Sequence, residues 1–346
     1  MSRTGDIIDK TKRKEPKAKK WKVVVGIVVG LVLAGGMFGV LFWFADVDEY
    51  LQQNKEIINL YDFYDEKHGE NTTAIYFIGS SIVAESIYPP LINDILHQNG
   101  YSNVTVYSAF LSGDTPIMRS VQVQNIIDSG PVIVIYGLMP RDIGADDWRD
   151  EYFSLVSSRL NVRDDSLYLY TPEQMASFDF DLNLFENKKY LANALESKYV
   201  SKPHATLNYS RDPLGEEYRK YLSTTKNDAS IAKNVNNPES RYRIESEING
   251  EWTQNKEALV YIINTLQKEG ITVIAVNMPI NPLLSEKISI YSYENYYSLL
   301  NETRVTWYDL DGSISQEYFF DEVHMTFDGA LAFAPVMADL IIQELS

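Results

Sequence analysis

The sequence predicts an α/β fold in three α/β/α layers, with about five parallel strands and a transmembrane helix ahead of them. Three observations predict it. Short apolar runs alternate with stretches of helical spacing, as crossover connections between parallel strands require. One of those runs, PVIVIYG, is apolar enough to be covered on both faces. A single uncharged stretch near the N-terminus is long enough to cross a bilayer.

Residues 1–22 form a basic cytoplasmic tail, with nine Lys/Arg against three Asp/Glu. Val23–Ala45 then reads VVVGIVVGLVLAGGMFGVLFWFA, 23 residues without a charge. At about 1.5 Å rise per residue, a helix of that length crosses a hydrocarbon core of roughly 30 Å. Lys19, Lys20 and Lys22 precede the run, and Asp46, Asp48 and Glu49 follow it. That asymmetry places the N-terminus in the cytoplasm and the rest of the chain outside, and Trp21 and Trp43 bracket the span as interfacial anchors. A cleaved signal peptide is the alternative. Its apolar region is normally about 7–15 residues with a small-residue cleavage site, whereas this run is longer and closes on Phe42, Trp43 and Phe44. The expected location is the cell membrane, single-pass, with the remainder extracytoplasmic. Four N-x-[ST] sequons, at Asn71, Asn103, Asn208 and Asn301, fit an outward-facing domain in a glycosylating host. A chain this rich in Asn, Ser and Thr also carries several by chance.

Residues 46–72 are polar and Tyr-rich, with EYLQQNKEIINLYDFY in helical spacing, and read as a stalk or packing helix. The domain proper is expected over 73–346. TAIYFIG (Thr73–Gly79) reads as a buried strand, NVTVYSA from Asn103 as a second and PVIVIYG (Pro131–Gly137) as a third. ITVIAVNMP (Ile271–Pro279) and TRVTWYD from Thr303 supply a fourth and a fifth. Helical spacing fills Pro89–Gln98, Pro116–Asp128, Lys256–Lys268 and Tyr293–Leu300. The layering is flavodoxin-like. Residues 143–250 break the alternation and read as an insertion, part helix and part irregular, beside the top of the sheet. No internal repeat is evident.

Composition narrows the chemistry. The absence of cysteine excludes disulfides, thiol catalysis and Cys-based metal sites. The net charge is −17, and beyond Lys22 the 22 basic and 45 acidic residues give −23. Such a surface repels phosphate backbones and argues against nucleic acid as a partner.

Ligands of open parallel sheets bind beyond the carboxyl ends of the strands, so the residues after each strand are the ones to inspect. FIGSSIVAES follows the first strand, YSAFLSGDTP the second and YGLMPRD the third; DEVHMTFDGA lies beyond the fifth and before a final helix. A serine hydroxyl is a weak nucleophile that needs an adjacent base. His324 could take the proton of Ser81 and return it to a leaving group, while Asp321 fixes the imidazole tautomer. Gly113 lets a backbone amide approach a developing oxyanion, and Thr326 is a plausible N-cap holding His324 in place. Each feature has a plainer reading. Gly-Ser-Ser after a strand is common turn chemistry, and Asp-x-x-His occurs in many surface loops. An Asp–His pair could also bind a metal, but the other imidazoles, His68, His97 and His204, show no ligand spacing. No metal and no cofactor is expected. Arg141 and Asp142 form either a loop ion pair or a contact to an anionic or carbonyl group of a substrate. In NMPINP, Pro279 shapes the loop, and Asn277 and Asn281 are possible substrate contacts.

These blocks, in this order, resemble the SGNH (GDSL-like) hydrolase superfamily over about residues 73–142 and 255–346. The resemblance implies Ser81 as nucleophile, Gly79 and Ser80 in place of the family's Gly-Asp pair, Gly113 as the oxyanion glycine, and Asp321 and His324 as acid and base. The third block departs: the family has Gly-x-Asn-Asp, and this chain has Gly137-Leu138-Met139-Pro140-Arg141-Asp142. Met139 cannot donate the side-chain hydrogen bond of the missing Asn. "PRD" at this place resembles membrane-anchored members that modify surface polymers, similar to lipoteichoic-acid D-alanylation and alginate O-acetylation proteins. The resemblance implies extracytoplasmic serine-dependent acyl-ester chemistry: O-acyl transfer to, or deacylation of, a cell-surface glycan or polymer. The implied partners are the membrane, that acylated polymer and a multi-pass membrane acyl-donor protein. A general esterase or lipase with the insertion as lid, and a glycan-binding module without turnover, are the alternatives.

Overall fold

The computed structural model describes residues 55–68, 72–144, 159–176, 253–288 and 290–346, with Gly30, Phe153 and Phe178. Two compact units are distinguished, Met1–Leu51 with Lys188–Pro203 and Gln52–Asn187 with His204–Ser346. Gly30 is the one described residue of the first unit. The predicted span Val23–Ala45 lies outside the described residues apart from Gly30. Among the described residues, no helix is long and apolar enough to cross a membrane.

The second unit opens with α1 (Lys55–Tyr64) and runs through β1 (Thr73–Gly79), α2 (Ser81–Ser86), α3 (Pro89–Gln98), β2 (Val104–Phe110), α4 (Pro116–Ser120), α5 (Val123–Ser129) and β3 (Ile133–Leu138). It continues with α6 (Pro140–Gly144), a 3₁₀ turn at Asp164–Leu169, α7 (Pro172–Ala176), α8 (Thr253–Lys268), β4 (Thr272–Asn277) and α9 (Pro282–Ser285). α10 (Ile290–Glu302), β5 (Thr306–Asp309), a 3₁₀ turn at Gln316–Tyr318 and α11 (Phe327–Leu345) complete it. Most of the predicted insertion, 143–250, lies outside the described residues.

The five strands form one parallel sheet in the order β2-β1-β3-β4-β5. Strand side chains alternate between the two faces. Ala74, Tyr76 and Ile78 enter one core with Val134 and Tyr136, under α1, α4, α5, α8 and α10. Ile75 and Phe77 enter the other with Ile133 and Ile135, under α2, α3 and α11. Both faces are therefore covered, which is why β1 and β3 are apolar at nearly every position. The order places β1 between β2 and β3, so the chain leaves β1 in one direction and β3 in the other. That switch point lies beyond Gly79 and Leu138, where α2 and α6 begin.

α1 is a packing helix of this domain: Ile57, Leu60, Tyr61, Phe63 and Tyr64 are buried in the first core. The single helix expected over Pro116–Asp128 is two, α4 and α5, parted at Val121–Gln122. There Gln122 turns its side chain into a buried cluster around Arg119, and periodicity alone does not register such a break. The fifth strand begins later than expected, because Thr303 donates to the Leu300 carbonyl at the end of α10 and Arg304 adopts a left-handed turn (φ 56°).

Two glycines let α2 sit close on the strand ends. A Cβ on Gly137 would fall 2.3 Å from Val83 Cγ2. One on Gly79, which has φ +145°, would fall 2.4 Å from the Gly137 carbonyl oxygen and 2.6 Å from Val83 Cγ2. Gly137→Ala should therefore cost about 1–3 kcal/mol by overpacking. Val83→Ala should relieve part of that cost in the double variant, but not the cost of Gly79→Ala, whose obstacle includes backbone. Urea-unfolding midpoints check this; strictly additive effects of Gly137→Ala and Val83→Ala would contradict the contact.

Candidate active site

Ser81 is the first residue of α2, two residues beyond the end of β1. Ser80 precedes it in extended conformation; its hydroxyl makes no cap bond, and its carbonyl accepts from the amides of Val83 (3.1 Å) and Ala84 (3.3 Å). Ser80 thus forms the turn that lifts Ser81 onto the rim. Gly79 contributes its carbonyl, which accepts from the Leu111 amide at 3.0 Å and from Arg119 Nη2 at 3.3 Å.

His324 is presented from the far end of the chain by a tight loop. Phe319 and Met325 pair across it in an antiparallel bridge, and the Phe320 amide donates to the His324 carbonyl at 3.1 Å. Asp321 folds the loop tip: its Oδ1 accepts from the amides of Val323 (2.9 Å) and His324 (2.7 Å), an Asx turn. Thr326 caps α11 by accepting from the Gly329 amide at 3.1 Å. Fully buried Asn281 ties the loop to the end of β4: its Nδ2 donates to the Asp321 carbonyl (3.2 Å), and its amide donates to the Glu322 carbonyl (3.0 Å). The Phe320 ring stacks on the imidazole at 5.6 Å between centroids and 16° between planes.

The two ends of the chain meet side chain to side chain. Ser81 Oγ lies 2.8 Å from His324 Nε2, and His324 Nδ1 lies 2.8 Å from Asp321 Oδ2. Burial pushes the Asp321 carboxyl up, but the bond and charge of the His324 ring, with the Val323 and His324 amides, outweigh it. The group is held below its ordinary value. Ionised, it can only accept, so Nδ1 must carry the proton and donate it to Oδ2. Nε2 is then left with a lone pair directed at the Ser81 hydroxyl, the tautomer a general base requires.

The candidate oxyanion donors are backbone amides. Ser81, as the first residue of a helix, has an amide with no intrahelical partner. The amide of Gly113, at φ +68°, makes no hydrogen bond among the described residues. Met139 cannot add a third donor: its side chain is buried in the second core, and its amide donates to Asp142 Oδ2 at 3.0 Å. Asp142 is buried and faces inward at the start of α6, and neither it nor Arg141 bonds to Ser81, His324 or Asp321. Asn277 is buried as well, and its Nδ2 donates to Asp309 Oδ1 at 2.8 Å. Among the described residues, no group of three or more His, Asp or Glu side chains is placed to hold a metal ion. His68 and His97 bond to backbone carbonyls through Nε2, at 2.9 and 3.1 Å.

No curated protein matches the sequence. A protein-family model matches residues 205–346, less than half of the chain. Among solved structures, the chain is similar to a GDSL-like lipase from Bacteroides thetaiotaomicron, with 9% identity, 87% of this chain and 99% of that chain covered and a TM-score of 0.36. It is also similar to the acetyl xylan esterase AlAXEase (11% identity, 78% and 99% covered, TM-score 0.35). A third is AlinE4, an SGNH-hydrolase family esterase (15% identity, 81% and 100% covered, TM-score 0.30).

The depressed Asp321 pKa carries a stability signature. A carboxylate whose folded-state pKa lies below its unfolded value stabilises the fold above the unfolded value of about 3.9, and the contribution is lost as pH falls through the folded value. Wild type should therefore exceed Asp321→Asn in stability at neutral pH, and the gap should narrow in acid. Chemical denaturation across that pH range reads it.

Proposed function

We propose that this chain is a serine-dependent acyl-ester enzyme of the SGNH type, working through a covalent acyl-Ser81 intermediate. The observation that carries the proposal is the unbroken relay from Ser81 Oγ through the His324 ring to Asp321, with both contacts at 2.8 Å. His324 Nε2 takes the hydroxyl proton as Oγ attacks the ester carbonyl carbon. The developing negative oxygen is met by the amides of Ser81 and Gly113, and two backbone donors suffice for such a hole in other serine enzymes. His324 then returns the proton to the departing alcohol. A water or sugar hydroxyl, deprotonated in turn by His324, attacks the acyl carbon and takes the acyl group, and His324 returns that proton to Ser81 Oγ as the Ser81–acyl bond breaks. The ionised Asp321 stabilises the imidazolium formed in each half-reaction. The intact relay favours turnover over a binding module.

The place of action is part of the proposal and rests on sequence: the Val23–Ala45 run and its flanking charges put this domain outside the membrane. A membrane-tethered enzyme of this chemistry is suited to acyl esters on a cell-surface glycan or polymer, as acceptor or as substrate. A multi-pass membrane protein would supply the acyl group if transfer is the reaction.

The full-length chain should hydrolyse a small acetyl ester. Ser81→Ala and His324→Ala should each lower kcat by several orders of magnitude, and the double variant should be no worse than the worse single one, because the pair acts as a unit. Substantial turnover by His324→Ala would overturn the assignment. A rate that rises with an added polysaccharide acceptor would identify transfer over hydrolysis. Protease added to intact cells should degrade the region beyond residue 46; its full protection would overturn the topology.

A further inference from the structure

Beyond the relay, the segment carrying Gly113 is built in an unusual way. Leu111–Asp114 is a tight turn closed by the Asp114 amide donating to the Leu111 carbonyl at 3.0 Å, with positive φ at Gly113 and not at Ser112. That is the sign pattern of a type II turn. The position of the Gly113 amide therefore follows from where the turn is held.

Both ends of the turn are held by side chains from outside it. Glu56, on α1, accepts from the Ser112 amide through Oε1 and from the Ser112 hydroxyl through Oε2 at 3.0 Å. On the other side Asp114 Oδ2 accepts from Arg119 Nε at 2.7 Å, and the two side chains are 1% and 0% exposed. Arg119 reaches further, donating to the carbonyls of Ala109 (3.1 Å) and Gly79 (3.3 Å), to Gln122 Oε1 (3.0 Å) and to Tyr64 Oη of α1 (3.0 Å). Burial alone would favour a neutral Arg119, but the Asp114 carboxylate beside it outweighs this and keeps the guanidinium charged. Burial pushes Tyr64 up to about 12, so it meets Arg119 as a neutral phenol. One guanidinium thus ties the backbone before Ser80-Ser81 to the turn that carries Gly113.

We propose that Glu56 and Arg119 form a two-point clamp that holds the Leu111–Asp114 turn, and with it the Gly113 amide, in place, making both of them positioning residues for oxyanion stabilisation. Neither touches substrate; they act through Ser112 and Asp114. The inference rests on the serine-ester reading above. It adds that α1, the helix before the sheet in sequence, belongs to the catalytic apparatus.

The clamp makes a prediction that differs from that of a mere structural contact. Removing an oxyanion donor outright lowers kcat by about 10²–10³, so loosening one should lower kcat by about tenfold or more and leave KM within about twofold. Glu56→Ala in the full-length chain should show this split and should weaken binding of a boronic-acid transition-state analogue by a matching factor. Ser112→Ala, which keeps the amide arm, should lose less. Glu56→Gln, which keeps an acceptor for that amide, should recover most of the activity. Arg119→Lys tests the other arm; should it fail to fold, the Glu56 and Ser112 variants decide the matter. A folded Glu56→Ala variant with wild-type kcat and wild-type boronate affinity would overturn the clamp and leave the serine-ester reading intact. A wild-type protein that neither turns over the ester nor binds the boronate would overturn both.

Discussion

The site depends first on a steric constraint: helix α2 lies so close to the carboxyl ends of β1 and β3 that neither Gly79 nor Gly137 has room for a Cβ. Val83 fills the space those glycines leave, and its position fixes the first turn of α2. Ser81 is therefore held at the switch point of the sheet with its amide unspent. A hydroxyl on a loop would sample many positions. Here it stands on a short helix pinned from below by two buried strands, which is what a reaction needing sub-ångström placement requires.

A second constraint works from the opposite end of the chain. The loop at 319–326 is over-determined by the Phe319–Met325 bridge, the Asx turn of Asp321, the Asn281 bonds and the Thr326 cap. Asp321 does two jobs with its two oxygens: Oδ1 shapes the turn, and Oδ2 sets the imidazole tautomer. Loop conformation and base chemistry are thus coupled through one carboxylate, whose hydrogen bonds outweigh its burial and keep it ionised. Met139 is turned inward: it fills core, and its amide is bound to Asp142. In the proposed mechanism the oxyanion donors are backbone ones, and the proposed clamp gives the placement of the Gly113 amide to Glu56 and the buried Arg119.

The sheet is legible in the sequence because a doubly covered parallel strand must be apolar on both faces, as Thr73–Gly79 and Ile133–Leu138 are. Ser81, Asp321 and His324 are legible for a related reason: strand ends are where a parallel sheet exposes its chemistry, and each lies beyond one. The split between α4 and α5 is not legible, since it follows from Gln122 joining a buried polar cluster whose other members come from distant segments. Nothing local in PIMRS marks Arg119 as fully buried. Asn281 reads as a loop residue with a possible substrate contact, whereas its amide supports the Asp321 loop from behind. Glu56 falls in a segment that reads as stalk or packing helix. Each of these depends on a partner far away in sequence, which periodicity and spacing do not encode.

In the proposed mechanism Ser81, and no other serine, is the nucleophile activated by His324. A fluorophosphonate probe on the full-length chain, followed by peptide mapping, tests it most directly. One phosphonyl adduct is expected on Ser81, absent from Ser81→Ala and strongly slowed in His324→Ala. Labelling at Ser80, or equal labelling of wild type and Ser81→Ala, would contradict it.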